Sequence, residues 1–435
     1  MGAIGLLDIP PEIQLQIAEF VKTRQTLKAL SVTSRSLRSI SQSILFKNLQ
    51  IDLAKELRGS VDDLLANPRI CAAIRFLSLR GRLFSSAPPR NDEEQFSLIQ
   101  KLLPEMVGLR KVSISFVNLS KKFLDAFLGI AANMPLQIHL GWNIYPYSVF
   151  PTPHTRLQIS HLHCSVDYPQ LEFCRSMLRA SATTLTDLNI QAYGDGLMKL
   201  ADIDLPFLHD FTLSNTTEDE VSGPSAGAFL TAQVAIERLV LGGKVGPLPP
   251  IPPDALPNLR ELKAPPELVN QLVPGRPVEA IEITFPQRGF SLGCDPDWFG
   301  EEVGESTARV RRLRLHLNTA ILDTLMVKRM VVILPFLENL WLREFVDVGW
   351  PFRPITRTLV AHFPSGIPRC HRSPHFTQVP QEPRLPSALS RRRHMGRPQH
   401  QRHRRQTAEG KSILLISRDL EQWRERVENC YLRLE

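Results

Sequence analysis

Ile74-Arg75-Phe76-Leu77-Ser78-Leu79 reads apolar-x-x-apolar-x-apolar. Alternating apolar positions mark a strand with one buried face, because successive strand side chains point to opposite sides. The template recurs with its first residue at Leu109, Leu185, Leu208, Ile236, Leu259, Val278, Val310 and Leu337, the unit from Leu259 ending on Ala264. Two weaker copies fill the gap after Leu109. One uses Asn133, Leu136 and Ile138; the other uses His154, Leu157 and Ile159. The spacings then run 35, 24, 21, 31, 23, 28, 23, 19, 32 and 27 residues.

Helix-like stretches lie between the copies, at Phe96–Leu103, Phe123–Ile130 and Leu171–Leu178. A strand and a helix repeating every 20 to 29 residues or so form one structural unit that buries its apolar face on its neighbours. The expected fold class is therefore α/β: a curved solenoid over residues 74–350, with parallel inner strands and outer helices. A less regular α/β domain is the alternative. The pattern resembles the leucine-rich repeats. That family places Asn eight residues after the first leucine, and here only Asn318 stands there. The segments around Thr217-Glu218-Asp219-Glu220, Gly246–Pro253 and Gln287–Ala308 read as loops or insertions. Proline removes backbone donors, so Gly246–Pro253 is neither helix nor central strand.

Residues 1–50 read as a separate helical unit. Pro10-Pro11-Glu12 is a helix start, since proline suits the first turn and an early acid suits the helix dipole. Ile9, Ile13 and Ile17 follow at intervals of four, and Phe20 and Val21 close the stripe. Thr26 is the expected cap of a second helix with Leu27 and Leu30. Ser34 is the expected cap of a third with Leu37, Ile40 and Ile44. Three short helices bury too little surface for strong independent stability, so a partner is expected to complete part of this apolar surface.

This unit resembles the F-box. The family opens with Leu/Ile-Pro-x-Glu-Ile, here Ile9-Pro10-Pro11-Glu12-Ile13, with one extra proline or a shifted register. The Leu-x-x-Leu that follows is Leu27 and Leu30. Next comes Val32-Thr33-Ser34-Arg35-Ser36-Leu37, with leucine where the family often has Trp or Phe. The closing apolar cluster is Leu45-Phe46-Lys47-Asn48-Leu49. The resemblance implies docking to a Skp-type adaptor, and through it to a cullin, by way of Ile9, Pro10, Ile13, Ile17, Leu27, Leu30, Val32 and Phe46. Some of these must instead pack the helices together. Residues 51–73 read as a connecting helix ended by Asn67-Pro68. The run Leu64–Leu79 is similar to the junction in fungal F-box proteins with leucine-rich repeats.

The repeats would then hold a target protein on the outward strand positions. The candidates are Arg80, Asn189, Gln191, Glu282, Arg314, His316, Trp341 and Arg343. Trp341 stands out, because an outward aromatic is costly unless covered, by a partner or by the C-terminal segment. On this reading the chain is the substrate receptor of an SCF-type ubiquitin ligase, with no catalytic residue and no cofactor. A repeat scaffold without ligase association, and an enzyme hidden in an irregular α/β domain, are the alternatives.

Composition agrees with a binding protein. Charged residues make up 22% of the 435, an ordinary share for a globular chain. The net charge of +8 is uneven. Residues 353–411 hold 13 Lys and Arg against 2 Asp and Glu, so the remainder is slightly acidic. That distribution argues against nucleic acid as partner of the folded part. Residues 351–411 are rich in Pro, Arg and His and read as disordered. A basic linker and a stretch outside the true reading frame both account for them. Helical periodicity returns over 412–435. The six cysteines form no CxxC pair, which suits reduced thiols in the cytoplasm or nucleus. No run is long and apolar enough for a membrane span. There is no glycine-rich phosphate loop and no HExxH. His161 and His163 with Cys164, and Cys370-His371 with His375, lack a convincing ligand set and are read as structural or as tail residues.

Overall fold

The structure is a computed structural model. Its described residues are 9–21, 23–53, 58–81, 92–115, 121–141, 156–166, 171–192, 194–215, 220–284, 301–317, 332–346, 355–362 and 375–378. Asn318, most of the Pro-, Arg- and His-rich stretch 351–411 with Cys370-His371, and the expected helix over 412–435 lie outside them. The chain divides into two compact units, Met1–Ala264 and Pro265–Glu435.

The first unit opens with three helices, α1 (Pro11–Glu19), α2 (Arg24–Thr33) and α3 (Arg35–Leu45). Strand β1 (Asn48–Asp52) follows within three residues. Two short helices come next, α4 (Arg58–Leu65) and α5 (Pro68–Ala73). The single connecting helix expected here is broken at Asn67-Pro68, and Pro68 begins a new helix at a position where no amide donor is needed. Strands and helices then alternate: β2 (Phe76–Arg80), α6 (Asp92–Leu102), β3 (Lys111–Ser115), α7 (Lys121–Asn133) and β4 (Leu136–Leu140). Next are β5 (Ile159–Val166), α8 (Leu171–Ser181), β6 (Asp187–Ala192) and β7 (Asp210–Ser214). The unit ends with α9 (Gly223–Ala232), β8 (Arg238–Leu241) and β9 (Glu261–Ala264).

Strands β1 to β9 lie side by side in chain order, and every pair is parallel. The fold class is therefore the expected α/β arrangement of strand and crossover units. The register aligns Leu77, Val112, Ile138, Leu162, Leu188, Phe211, Leu239 and Leu262 in one row. All are buried, at 2% exposure or less. Each such side chain contributes roughly 1.5–3 kcal/mol when fully buried. The exposed ion pairs of Arg238 with Asp210 and Glu261 contribute about 0–1 kcal/mol. The apolar row therefore dominates.

The register corrects the two weaker template copies. Ile138 and Leu140 are the paired inward positions of β4, and Leu162 and Cys164 those of β5. The copies begin at Pro135 and Ile159, not at Asn133 and His154. A register shift beside Leu136 and Gln137, with proline and cysteine at template positions, obscured them.

The second unit contains α10 (Pro266–Leu272), then β10 (Ala280–Thr284), β11 (Arg312–Leu317) and β12 (Asn339–Val346), which pair in parallel. Arg276 is almost wholly buried and donates from Nη1 to the carbonyls of Leu272 (3.1 Å) and Pro274 (3.3 Å). It thereby serves acceptors left over at the end of α10. β12 then pairs antiparallel with β13 (Ile355–His362), and β13 with β14 (His375–Gln378). These two strands fall inside the segment read as disordered, and at 355–362 and 375–378 that expectation is corrected. Ile355, Thr356, Thr358 and Val360 favour a strand. Antiparallel pairing needs only a short connection, not a crossover helix.

The crossover between β8 and β9, described throughout, contains no helix. Between β8 and β9 an extended proline segment, Gly246–Pro252, runs against α9. A Cβ at Gly223 would overlap the Pro247 carbonyl, and one at Gly227 would lie 2.6 Å from the Pro249 ring. Gly129 in α7 has open space instead. Gly223→Ala should destabilise the protein by about 1–3 kcal/mol through overpacking. Gly129→Ala should stabilise it by up to about 1 kcal/mol through helix propensity. Urea unfolding of both variants measures the opposite signs.

Candidate functional site

The three N-terminal helices pack through an unexpected face. In α1 the buried residues are Gln14 and Ala18, not the isoleucine stripe. Gln14 Nε2 donates to the Ile9 carbonyl (2.8 Å), and Ser36 Oγ donates to Gln14 Oε1 (3.1 Å). This satisfied amide joins α1 to α3, and Ala18 leaves room for close approach. Thr23, not Thr26, caps α2: its Oγ1 accepts from the Thr26 amide at 3.2 Å. Ser34 caps α3 as expected, accepting from the Leu37 amide at 3.1 Å. Leu37, Leu27 and Ser41 are the buried residues of α2 and α3. The leucine that replaces the family's aromatic is thus a core residue of this unit.

The outer face exposes several large apolar side chains among polar ones. Ile13 and Ile17 are 43% and 44% exposed, Val32 75% and Phe20 83%. With Leu15 they make five of the eleven exposed large hydrophobics among the described residues. Such concentration in one small unit marks an interaction surface, since scattered single exposures would need no explanation. Of the other candidates for adaptor contact, Pro10 is exposed, Ile9, Leu30 and Phe46 are half-buried, and Leu27 is buried. Leu27 therefore belongs to the packing of the helices. Phe20, the most exposed of all, was legible as the end of the isoleucine stripe but was not among the contact candidates.

The second candidate surface is the polar face of the strands. The register brings Glu282, Arg314 and Trp341 side by side on β10, β11 and β12. Arg314 Nη1 lies 3.6 Å from Glu282 Oε2, and its guanidinium sits 4.8 Å from the Trp341 ring centre. The carboxylate and the ring hold the arginine in one orientation, and the arginine covers part of the half-buried tryptophan. His316 and Arg343 pair in the next row of the same strands, and their side chains lie outside the described residues. In the first unit Arg80 is exposed, while Asn189 and Gln191 of β6 are half-buried.

Asn189 pairs with His163 of β5, which pairs with His139 of β4. The two imidazoles stack with centres 4.0 Å apart. Stacked rings do not converge on a metal, and Cys164 faces the core, so the His161, His163 and Cys164 cluster makes no ligand set. Among the described residues no group of three or more His, Cys, Asp or Glu could hold a metal ion. No described helix is long and apolar enough to cross a membrane. The pair is invisible in the linear sequence because β4 and β5 are brought together only by strand register. Burial, the His139 ring and the Lys111 ammonium push the His163 pKa down from 6.5 to about 4. Burial and Lys111 also lower that of His139. The folded state thus binds fewer protons than the unfolded chain between about pH 6.5 and 4. Stability contributed by neutral His163 is present above that window and is lost as pH falls through it. His163→Gln should flatten the pH dependence of the melting temperature between pH 6.5 and 4 relative to wild type. An unchanged slope in differential scanning calorimetry counts against the assignment.

Residues 6–49 match the F-box domain, about a tenth of the chain. No curated protein matches the chain. The three-helix unit with its exposed apolar face is the chain's F-box domain.

Proposed function

We propose that this chain is the substrate-receptor subunit of an SCF-type ubiquitin ligase. F-box domains bind Skp-type adaptors, and the observation that carries the proposal is the apolar outer face of α1, with Val32 of α2, inside the F-box match. A three-helix unit that leaves Ile13, Ile17 and Phe20 in water gains by burying them on a partner, at roughly 25 cal/mol per Å². The remaining adaptor contacts would be Ile9, Pro10, Leu30 and Phe46.

The strands that follow would act as a leucine-rich-repeat-like recognition arm. Arg80, Asn189, Gln191, Glu282, Arg314, His316, Trp341 and Arg343 would contact the target protein. Trp and Arg are the side chains that most often dominate interfaces. The chain would act by proximity in the cytoplasm or nucleus, holding target lysines near a ubiquitin-charged enzyme that the cullin recruits. Tethering raises effective concentration and needs no catalytic residue here.

Ile17→Asp and Phe20→Asp should each weaken binding of the full chain to purified Skp-type adaptor by about tenfold or more, as loss of a buried anchor does. Neither should unfold the protein, since both side chains are already in water. Leu27→Asp should instead unfold the F-box, because it buries an unpaired charge. Isothermal titration with circular dichroism separates the two effects. Wild-type protein that fails to bind adaptor would leave a repeat scaffold without ligase association. Trp341→Ala combined with Arg314→Ala should reduce ubiquitination of bound targets in a reconstituted ligase while adaptor binding stays unchanged. Equal loss of both readouts would point to misfolding of the second unit.

A further inference from the structure

The crossover between β8 and β9 is Lys244-Val245-Gly246-Pro247-Leu248-Pro249-Pro250-Ile251-Pro252-Pro253. Proline fixes its own φ near −65° and drives the residue before it into extended geometry. Four prolines and two pre-proline residues therefore set Pro247–Pro252 as a polyproline II segment with three residues per turn. Such a segment is a three-edged prism. Leu248, 5% exposed, and Ile251, half-buried, are three apart and form the inward edge. Pro247 and Pro250 form a second edge, Pro249 and Pro252 a third, and all four prolines are exposed. Pro249 also rests near Gly227 of α9, which fastens the segment to the first unit.

The inward edge and the Pro249 ring anchor the segment. Polar side chains in place of the exposed Pro247 and Pro250 rings would serve that anchoring equally well, and here both are proline. A rigid segment with two proline edges outward is the shape read by grooves lined with parallel aromatic rings. The segment is held in its bound conformation before any partner arrives, so little ordering entropy opposes association. Lys244 is exposed and stands three residues before Pro247, which adds a cation at one end. We propose that Lys244–Pro252 is a docking site for an SH3-type domain, whose aromatic groove takes the proline edges and whose acidic rim takes the lysine. This site is separate from the F-box and from the polar strand face, and it does not depend on ligase function.

The test measures binding of the full chain to a panel of immobilised, purified SH3 domains by biolayer interferometry. At least one domain should bind wild-type protein. Pro247→Ala with Pro250→Ala should weaken that binding about tenfold or more, as should Lys244→Glu, which are losses typical of central interface residues. Circular dichroism should show both variants folded, since the substituted side chains are exposed. No binding across the panel overturns the proposal. So does binding that survives these substitutions, which would place the site in another proline stretch. Loss of binding together with unfolding of the double variant would assign the prolines to packing, unless folded Lys244→Glu also loses binding.

Discussion

The parallel ladder that begins at Lys47 is the constraint on which the first unit depends. The amides of Arg75 and Phe76 both donate to the Lys47 carbonyl, at 2.9 and 3.0 Å. Lys47 closes the third F-box helix, and β1 begins at the next residue. The F-box is thus not strung on a linker: its last residues are the first strand of the sheet. The same two-amide clamp returns at several later steps. Arg110 and Lys111 donate to Arg75, His209 and Asp210 to Thr186, and Glu237 and Arg238 to His209. A parallel pair cannot close through a hairpin, so each clamp commits the chain to another crossover. One hydrogen-bonding arrangement therefore generates the repeat, the inward apolar row and the outward polar face together.

Polar side chains at scattered positions join adjacent strand-and-crossover units. Thr184 Oγ1 donates to the carbonyls of Leu157 and Ile159 at 2.9 and 3.1 Å. Buried Gln233 donates to the Ile203 carbonyl and accepts from the Leu205 amide. In the second unit Ser306 bridges the carbonyls of Arg276 and Val278, both at 2.9 Å. Each pairs backbone groups that would otherwise be stranded between units, where an unmade hydrogen bond costs about 1–3 kcal/mol. Such bridges occupy no fixed offset from the template leucine. The need to pair these backbone groups is met without a residue type that recurs at one position of the template.

That difference governs what was legible. The strand template was readable wherever Leu, Ile or Val filled it, because burial tolerates few alternatives. It slipped at Pro135 and Cys164, where other residue types meet the same geometry. Helix starts at Pro11 and Ser34 were readable from local chemistry. The α1 stripe was found, yet its direction was not. Ile13 and Ile17 spaced by four look the same whether their cover is this chain or another. The buried Gln14, paired with the Ile9 carbonyl and the Ser36 hydroxyl, and the buried Ala18 show which face turns inward. The His139–His163 stack had no linear signal, since strand register creates it. Glu282, Arg314 and Trp341 were legible as outward positions, but their mutual contacts come from register.

The two candidate surfaces differ in the free energy they offer. The F-box face exposes Ile13, Ile17, Phe20 and Val32 beside charged residues such as Glu12 and Glu19, so its gain on meeting a partner would come mainly from burying those apolar side chains. The strand face is polar and structured: small or neutral side chains such as Ser113, Asn189 and Thr212 in the first unit, and the braced arginine in the second. Polar groups contribute little net affinity when paired and cost much when left unpaired. On the proposed function, a face built of them would discriminate among targets more than it attracts them. On that same reading, affinity for a target would come from the few larger side chains, with Trp341 and Arg314 as anchors and the remaining rows as the filter.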